Sequence, residues 1–314
     1  MAAEHPRAEL ASWPTPLEPA PRLAAALGLE PGDLWIKRDD LTGLGGGGNK
    51  VRKLEWLCGA ALASGATALV TSGAAQSNHA RLTAAAGARL GLDVVLVLRG
   101  GPDPAVSGNL ALDGLFDATV VWAGDADLAG RVDEVASELR RRGAVPAVLP
   151  FGGSSPVGAR GYIAGGEELT AQAPDLAQVV VALGSGGTMA GLVHALGADR
   201  VLGVHVGAVP DPAAVVAGML DRPAPALRIR LDQVGDGYPV LTPAAWDAMA
   251  TAARTEGLVL DPIYTGRAMA GLAAAVVDGS VIPGQRTVFL HSGGLPGLFG
   301  HPDTVRRAAA GVTP

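Results

Sequence analysis

Short apolar runs alternate along the chain with longer stretches in which Ala, Leu and Val recur at helical spacing. The Val- and Leu-rich runs predict strands at Leu34–Lys37, Ala68–Thr71, Val94–Leu98, Thr119–Trp122, Val145–Leu149, Val179–Leu183, Val201–Val206 and Thr287–His291. Several are apolar at every position rather than at alternate ones, the pattern of strands covered by helices on both faces. The helical spacing predicts helices over Val51–Ala63, Asn78–Leu90, Leu128–Arg141, Val157–Thr170, Met189–Leu196, Pro243–Glu256 and Arg267–Asp278. Strand alternating with helix predicts an α/β fold of mainly parallel sheets. There is no internal repeat, and no Pro/Ser-rich joint marks a domain boundary.

Composition narrows this picture. A length of 314 residues suggests about two domains. With 48% hydrophobic and 17% charged residues the chain reads as compact rather than disordered, and with only 4% aromatic residues its core must come from Ala, Val and Leu. The net charge of -6, with no long run of either sign, gives no electrostatic case for nucleic acid or a membrane surface. The only cysteine, Cys58, rules out an internal disulfide and a cysteine-based zinc cluster. Met1 to Pro21 has no basic stretch followed by an apolar run, and no apolar stretch is long enough to span a bilayer, so the expectation is a cytoplasmic protein without a leader.

Three segments carry candidate chemistry. In Lys37-Arg38-Asp39-Asp40-Leu41-Thr42-Gly43-Leu44-Gly45-Gly46-Gly47-Gly48-Asn49-Lys50, four consecutive glycines make sense where a backbone turns tightly or approaches a ligand. Gly43, Gly45 and Gly48 spell G-x-G-x-x-G, but no apolar strand precedes them, as a dinucleotide site requires. A lysine ends the run and opens a helix, where the positive end of the dipole lowers an amine's pKa and readies it for a Schiff base. In Val179–Gly191, a strand, a glycine turn and a helix follow one another. Gly184, Gly186 and Gly187 clear space for an anion on backbone N–H groups, and Ser185 and Thr188 add hydroxyls, which predicts a phosphate cradle. In Thr71–Arg81, Ser77, Asn78 and His79 crowd a second strand-to-helix turn. They suit a substrate carboxylate, although Ser77 or Asn78 serves equally as an ordinary N-cap. A reactive lysine plus a separate phosphate cradle is what pyridoxal phosphate needs.

These segments resemble the fold-type II pyridoxal-phosphate enzymes, and among them the branch of D-cysteine desulfhydrase and 1-aminocyclopropane-1-carboxylate (ACC) deaminase. The resemblance runs from Pro14-Thr15-Pro16-Leu17, through Ile36-Lys37-Arg38-Asp39-Asp40, to His291-Ser292-Gly293-Gly294, and Gly48–Glu55 (Gly-Asn-Lys-Val-Arg-Lys-Leu-Glu) is its most specific signature. It implies two open, twisted, mainly parallel sheets flanked by helices, as in the tryptophan synthase β subunit. Residues 1–50 and 166–314 would form the larger domain and 51–165 the smaller. It also implies Lys50 as the Schiff-base lysine, Asn78 as partner of the cofactor's phenolic oxygen, and Gly184–Thr188 as the phosphate loop. Ser77 and His79 would sit beside the substrate carboxylate, with Ser77 also catalytic. Tyr238 and Tyr264 fall where the family places active-site tyrosines. ACC deaminases resemble one another in having Glu directly after the second tyrosine and Leu before the later Gly-Gly. This chain has Thr265 and Ser292 there, near the substrate and the cofactor ring, and both departures resemble the D-cysteine desulfhydrase type.

The expected activity is therefore β-elimination of hydrogen sulfide from D-cysteine, giving pyruvate and ammonia, with Lys50 or a tyrosine (Tyr264 by preference) removing the α-proton. Alternatives are ACC deaminase, L-cysteate sulfo-lyase and elimination from other β-substituted alanines. A sulfonate substrate would need a further cationic pocket. A pyridoxal-phosphate carrier or sensor without turnover is the alternative of another class. The partner is a small amino acid, no metal is expected, and a homodimer is the family's expectation.

Overall fold

The computed structural model describes residues 7–102, 106–220 and 226–312. Residues 1–6 of the stretch read for a leader lie outside the described residues. Among the described residues ten strands are formed: β1 Leu17–Pro19, β2 Leu34–Lys37, β3 Ala68–Gly73, β4 Asp93–Leu98, β5 Thr119–Trp122, β6 Pro146–Val148, β7 Gln178–Leu183, β8 Val201–His205, β9 Arg228–Arg230 and β10 Thr287–Leu290. They make two sheets, one of order β1-β2-β10-β7-β8-β9 and one of order β5-β4-β3-β6. Every pairing is parallel except that of β1 on β2. The smaller sheet uses only strands between residues 68 and 148, whereas the larger takes strands from both sides of that segment.

Each central strand divides its side chains between two cores, because successive side chains point to opposite faces. Val180 and Ala182 of β7 join one core of the large sheet, while Val179, Val181 and Leu183 join the other. Likewise Val94, Leu96 and Leu98 of β4 lie on one face of the small sheet and Val95 and Val97 on the other. Helices cover both faces, which is why these strands read as unbroken apolar runs.

The Lys-Arg-Asp-Asp run at the end of β2 anchors the helix Lys50–Ala63. Asp39, fully buried, accepts two bonds from Arg52, at 2.8 Å to Nε and 2.9 Å to Nη2, and one from the Tyr162 hydroxyl at 2.5 Å. Glu168, on the helix Pro156–Gln172, accepts from Arg52 and from buried Lys37. An ionic cluster taken out of water holds only if every member is matched, so this one fixes the end of β2, two helices and the Lys50 backbone in one geometry. Tyr162 thus belongs to this cluster.

The four glycines turn tightly rather than approach a ligand. Gly45, Gly46, Gly47 and Gly48 all have positive φ, and a Cβ on Gly47 would stand 2.0 Å from the Asp40 carbonyl oxygen. The carbonyls of Gly45 and Gly47 accept from the buried guanidinium of Arg81.

Elements absent from the sequence reading are the edge strands β1 and β9 and the helices Pro21–Ala26, Gly108–Leu115, Pro212–Ala217, Leu295–Phe299 and Pro302–Ala309. All are short. The two strands are three residues each, at the edges of the large sheet. No helix among the described residues is long and apolar enough to cross a membrane.

Candidate active site

A cavity of about 320 Å³ opens where strand ends from both sheets converge. Its walls come from segments that follow the carboxyl ends of parallel strands. Ala74 and Ser77–His79 follow β3, Phe151 and Gly152 follow β6, and Gly184–Gly186 with Thr188 follow β7. Gly207 and Ala208 follow β8, and Ser292 and Gly293 follow β10. The crevice beyond such strand ends is where open parallel sheets bind ligands.

Lys50 lines this cavity as the first residue of its helix. The preceding residue is held twice: the Asn49 N–H donates to the Ser292 carbonyl at 2.9 Å, and its Nδ2 donates to Thr188 Oγ1 at 3.1 Å. Burial is the main cause that lowers the Lys50 amine to about 8. Lys53, one turn along, also lines the cavity, and burial plus the Lys50 charge push its amine well below the usual lysine value. Its Nζ donates to Ser154 Oγ at 3.1 Å and to the Gly152 carbonyl at 3.3 Å. Lys53 was missed in the sequence, where its spacing of three from Lys50 in a helix was the available signal.

The glycine turn after β7 opens the helix Gly187–Leu196, whose N-cap residue, Gly186, has no side chain to cap it. Ser185 Oγ meets Ser154 Oγ at 2.8 Å, and Ser154 Oγ accepts the Gly187 N–H at 3.1 Å. Gly187 thus stands behind the cavity wall rather than in it. A Cβ there would lie 2.8 Å from Ser154 Oγ and 3.0 Å from Lys53 Nζ, so only glycine lets Lys53 reach the turn.

Across the cavity Tyr264 packs on Gly184, and its hydroxyl is hydrogen-bonded to that of Tyr238. Burial raises both phenols above the usual tyrosine value, Tyr264 strongly. Asp261 sets Tyr264: its Oδ2 accepts the N–H groups of Ile263 at 3.1 Å and of Tyr264 at 2.9 Å. Arg267, fully buried, donates to the carbonyls of Val206, Gly237 and Val240 and so ties the Tyr238 loop to the end of β8.

The third segment splits its roles. Ser77 Oγ accepts the Ala80 N–H at 3.1 Å as the helix cap, yet Ser77 also lines the cavity. His79 is buried, with Nε2 3.1 Å from Thr71 Oγ1. Because that hydroxyl donates to the Leu149 carbonyl, Nε2 carries the ring proton. Burial first, then the Lys50 and Lys53 charges, hold the imidazole far below its usual pKa and therefore neutral.

Eleven of the residues singled out in the sequence come together here: Lys50, Ser77, Asn78, His79, Gly184, Ser185, Gly186, Thr188, Tyr238, Tyr264 and Ser292. Thr265 does not line the cavity. It is fully buried at the start of its helix, and its hydroxyl donates to Asp261 Oδ1 at 2.7 Å, so it braces the residue that sets Tyr264. Sequence reasoning also missed Asn49, Gly152 and Arg99; the last is exposed and lines the cavity just beyond β4.

The residues fit pyridoxal phosphate. Two lysines line one cavity, and no Asp or Glu is among the described lining residues. Burial leaves the Lys50 amine, at about 8, partly neutral and able to accept an aldehyde, while the buried Lys53 amine beside the glycine turn suits an anion. Lys50 would hold the aldehyde end, and Lys53 with the Gly184–Thr188 turn the phosphate.

Comparison with known proteins agrees. The model of the family described as "Pyridoxal-phosphate dependent enzyme" matches residues 8–293. A protein of Pyrococcus horikoshii named as a putative 1-aminocyclopropane-1-carboxylate deaminase is 39% identical, over 96% of both chains. A D-cysteine desulfhydrase of Salmonella paratyphi B is 40% identical, over 95% of this chain and 97% of its own. Among solved structures, an ACC deaminase homologue superposes with a TM-score of 0.87 at 36% identity, covering 97% of each chain. A T.th. threonine deaminase superposes with a TM-score of 0.62 at 26% identity, covering 89% of this chain and 92% of its own. With a family match over most of its length and relatives near 40% identity across nearly all of it, this chain belongs to the pyridoxal-phosphate-dependent enzymes of fold-type II.

Proposed function

We propose that this chain is a lyase that eliminates hydrogen sulfide from D-cysteine, releasing pyruvate and ammonia. The observation that carries the reading is the absence of any carboxylate among the described residues lining the cavity. When bound, pyridoxal phosphate supplies an aldehyde that condenses with an amine and a ring that takes up an electron pair from the adjoining carbon. A carboxylate at the ring nitrogen would make that ring a stronger sink, as the opening of a cyclopropane without an α-hydrogen demands. Elimination of a good thiol leaving group asks only for removal of the α-proton.

Lys50 is the better base for that proton. Its amine, at about 8, is partly neutral near neutral pH, whereas burial keeps the phenols of Tyr238 and Tyr264 protonated. The tyrosine pair therefore serves as a neutral donor to the departing sulfur. Ser77, Asn78 and the neutral His79 face the substrate from the opposite helix end, which favours its carboxylate. Lys53, Ser185, Thr188 and the glycine N–H groups hold the phosphate. As the α-proton passes to Lys50, the electron pair forms the Cα–Cβ double bond and the C–S bond breaks. The aminoacrylate released then hydrolyses to pyruvate and ammonia.

Arg99 favours a second reading. It supplies the further cation that a sulfonate leaving group would need, which supports L-cysteate as an alternative substrate. The test is pyruvate release by the cofactor-loaded protein from D-cysteine, L-cysteine, ACC and L-cysteate side by side. The expected result is release from D-cysteine, at least about tenfold faster than from the others, a difference of about 1.4 kcal/mol in barrier. Faster release from ACC overturns the argument from the missing carboxylate, and faster release from L-cysteate selects the second reading.

A further inference from the structure

We propose that Asn109 and Arg81 are positioning residues that lock the Asn78 amide with its NH2 group facing the cavity. Resting on the reading that this cavity holds pyridoxal phosphate on Lys50, this adds a cause for the polarity of one wall.

The argument starts from a group that can only donate. Arg81 and Asn109 are both fully buried. Arg81 Nε donates to Asn109 at 3.0 Å, and because a guanidinium accepts nothing, the atom it meets is Oδ1. The Asn109 amide is therefore fixed, with Nδ2 turned the other way. From there Nδ2 donates to the Gln76 carbonyl at 3.0 Å and to the Asn78 side chain at 3.0 Å. An NH2 group likewise only donates, so the Asn78 atom it meets is Oδ1. Arg81 Nη2 approaches the same oxygen at 3.4 Å.

Asn78 Oδ1 is thus taken twice on the side away from the cavity. Its Nδ2, without a protein partner among the described residues, is left for whatever the cavity holds. The orientation of two amides, ordinarily a matter of inference, follows here from one cation.

The lock is well supported. The Asn109 N–H donates to Gln76 Oε1 at 2.9 Å, so its backbone and side chain both engage the turn that carries Asn78. Gly297 closes over the contact, where a Cβ would lie 3.5 Å from Asn109 Nδ2 and 3.8 Å from Asn78 Oδ1. Arg81 is itself seated on the Gly45 and Gly47 carbonyls, so the glycine run before Lys50 and the wall opposite share one guanidinium. An NH2 donor aimed into a cavity of low dielectric stabilises an anionic oxygen there. On the reading above that oxygen is the cofactor's phenolic oxygen, whose proton the lock makes easier to lose.

The test uses Asn109→Asp. A carboxylate still accepts from Arg81 but has no hydrogen to give, so the Asn78 amide must turn over and present its oxygen to the cavity. The expected result is a cofactor dissociation constant raised at least about tenfold, the loss of one charge-assisted bond. The pH midpoint of the visible absorbance of the cofactor-loaded protein should rise by about one unit. Asn78→Ala should shift both quantities the same way, and Asn109→Asp added to Asn78→Ala should change nothing more, because the lock acts only through Asn78. If Asn109→Asp does not fold, Asn109→Ala, which leaves Asn78 Oδ1 only the longer contact with Arg81, takes its place, with smaller shifts in the same directions expected. Wild-type values in the Asn109 variant, or effects that add in the double variant, overturn the proposal. Loss of the visible band in Lys50→Ala checks the underlying reading separately.

Discussion

At the scale of single residues, the chemistry rests on two lysines one helical turn apart in a cavity with no carboxylate among its described lining residues. Lys50 gives a direct pH expectation. An amine at about 8 is about nine-tenths protonated at pH 7 and about nine-tenths neutral at pH 9. Only the neutral form attacks an aldehyde. The rate at which cofactor-free protein takes up pyridoxal phosphate, followed by visible absorbance, is therefore expected to rise about tenfold over that interval and then level off. A flat profile contradicts the depressed amine. Lys50, Asn78 and the Gly184–Thr188 turn were legible because glycines and polar groups stand at predicted strand-to-helix turns. Thr265 was misplaced for a physical reason: adjacency to Tyr264 in sequence says nothing about direction, and at a helix start its hydroxyl turned back to Asp261. Lys53 was overlooked because a lysine inside a helix reads as a solvated face, and only burial reveals it.

At the scale of elements, the helix Gly108–Leu115 matters most among those the sequence hid. It brings in Asn109, and also Asp113, buried with neither carboxylate oxygen hydrogen-bonded. Burial pushes the Asp113 carboxyl up to about 7, with the nearby Arg81 charge only partly opposing. The folded chain therefore keeps this proton through the range, from about pH 4 upward, where an unfolded aspartate loses it. Its contribution to stability falls as pH rises through that window. In cofactor-free protein Asp113→Asn is expected to match wild type near pH 4 and to be about 1–3 kcal/mol more stable at pH 8, by denaturant unfolding. Equal stability at pH 8 contradicts the raised carboxyl. The long central strands were legible because burial on both faces writes itself as apolar runs. β1 and β9 were not, since three-residue edge strands containing Glu18, Pro19, Arg228 and Arg230 carry no such pattern. Four of the hidden helices do begin with a signal, a proline at the first or second position: Pro21, Pro212, Pro296 and Pro302.

At the scale of the whole molecule, the site exists because two parallel sheets direct their carboxyl ends at one cavity. The large sheet delivers the glycine turn, the tyrosines and Ser292, while segments after β3 and β6 deliver Ser77, Asn78, His79 and Gly152. The ionic cluster of Arg52, Asp39, Glu168 and Lys37 ties the helix bearing Lys50 to the end of β2. The central claim is that this convergence leaves Lys50, and not the more deeply buried Lys53, to carry the cofactor. Borohydride reduction of the cofactor-loaded protein, followed by peptide mapping in a mass spectrometer, tests it most directly. The account expects the reduced adduct on Lys50 alone, with Lys53 unmodified. An adduct on Lys53, or a fixed adduct in the Lys50→Ala variant, would contradict it.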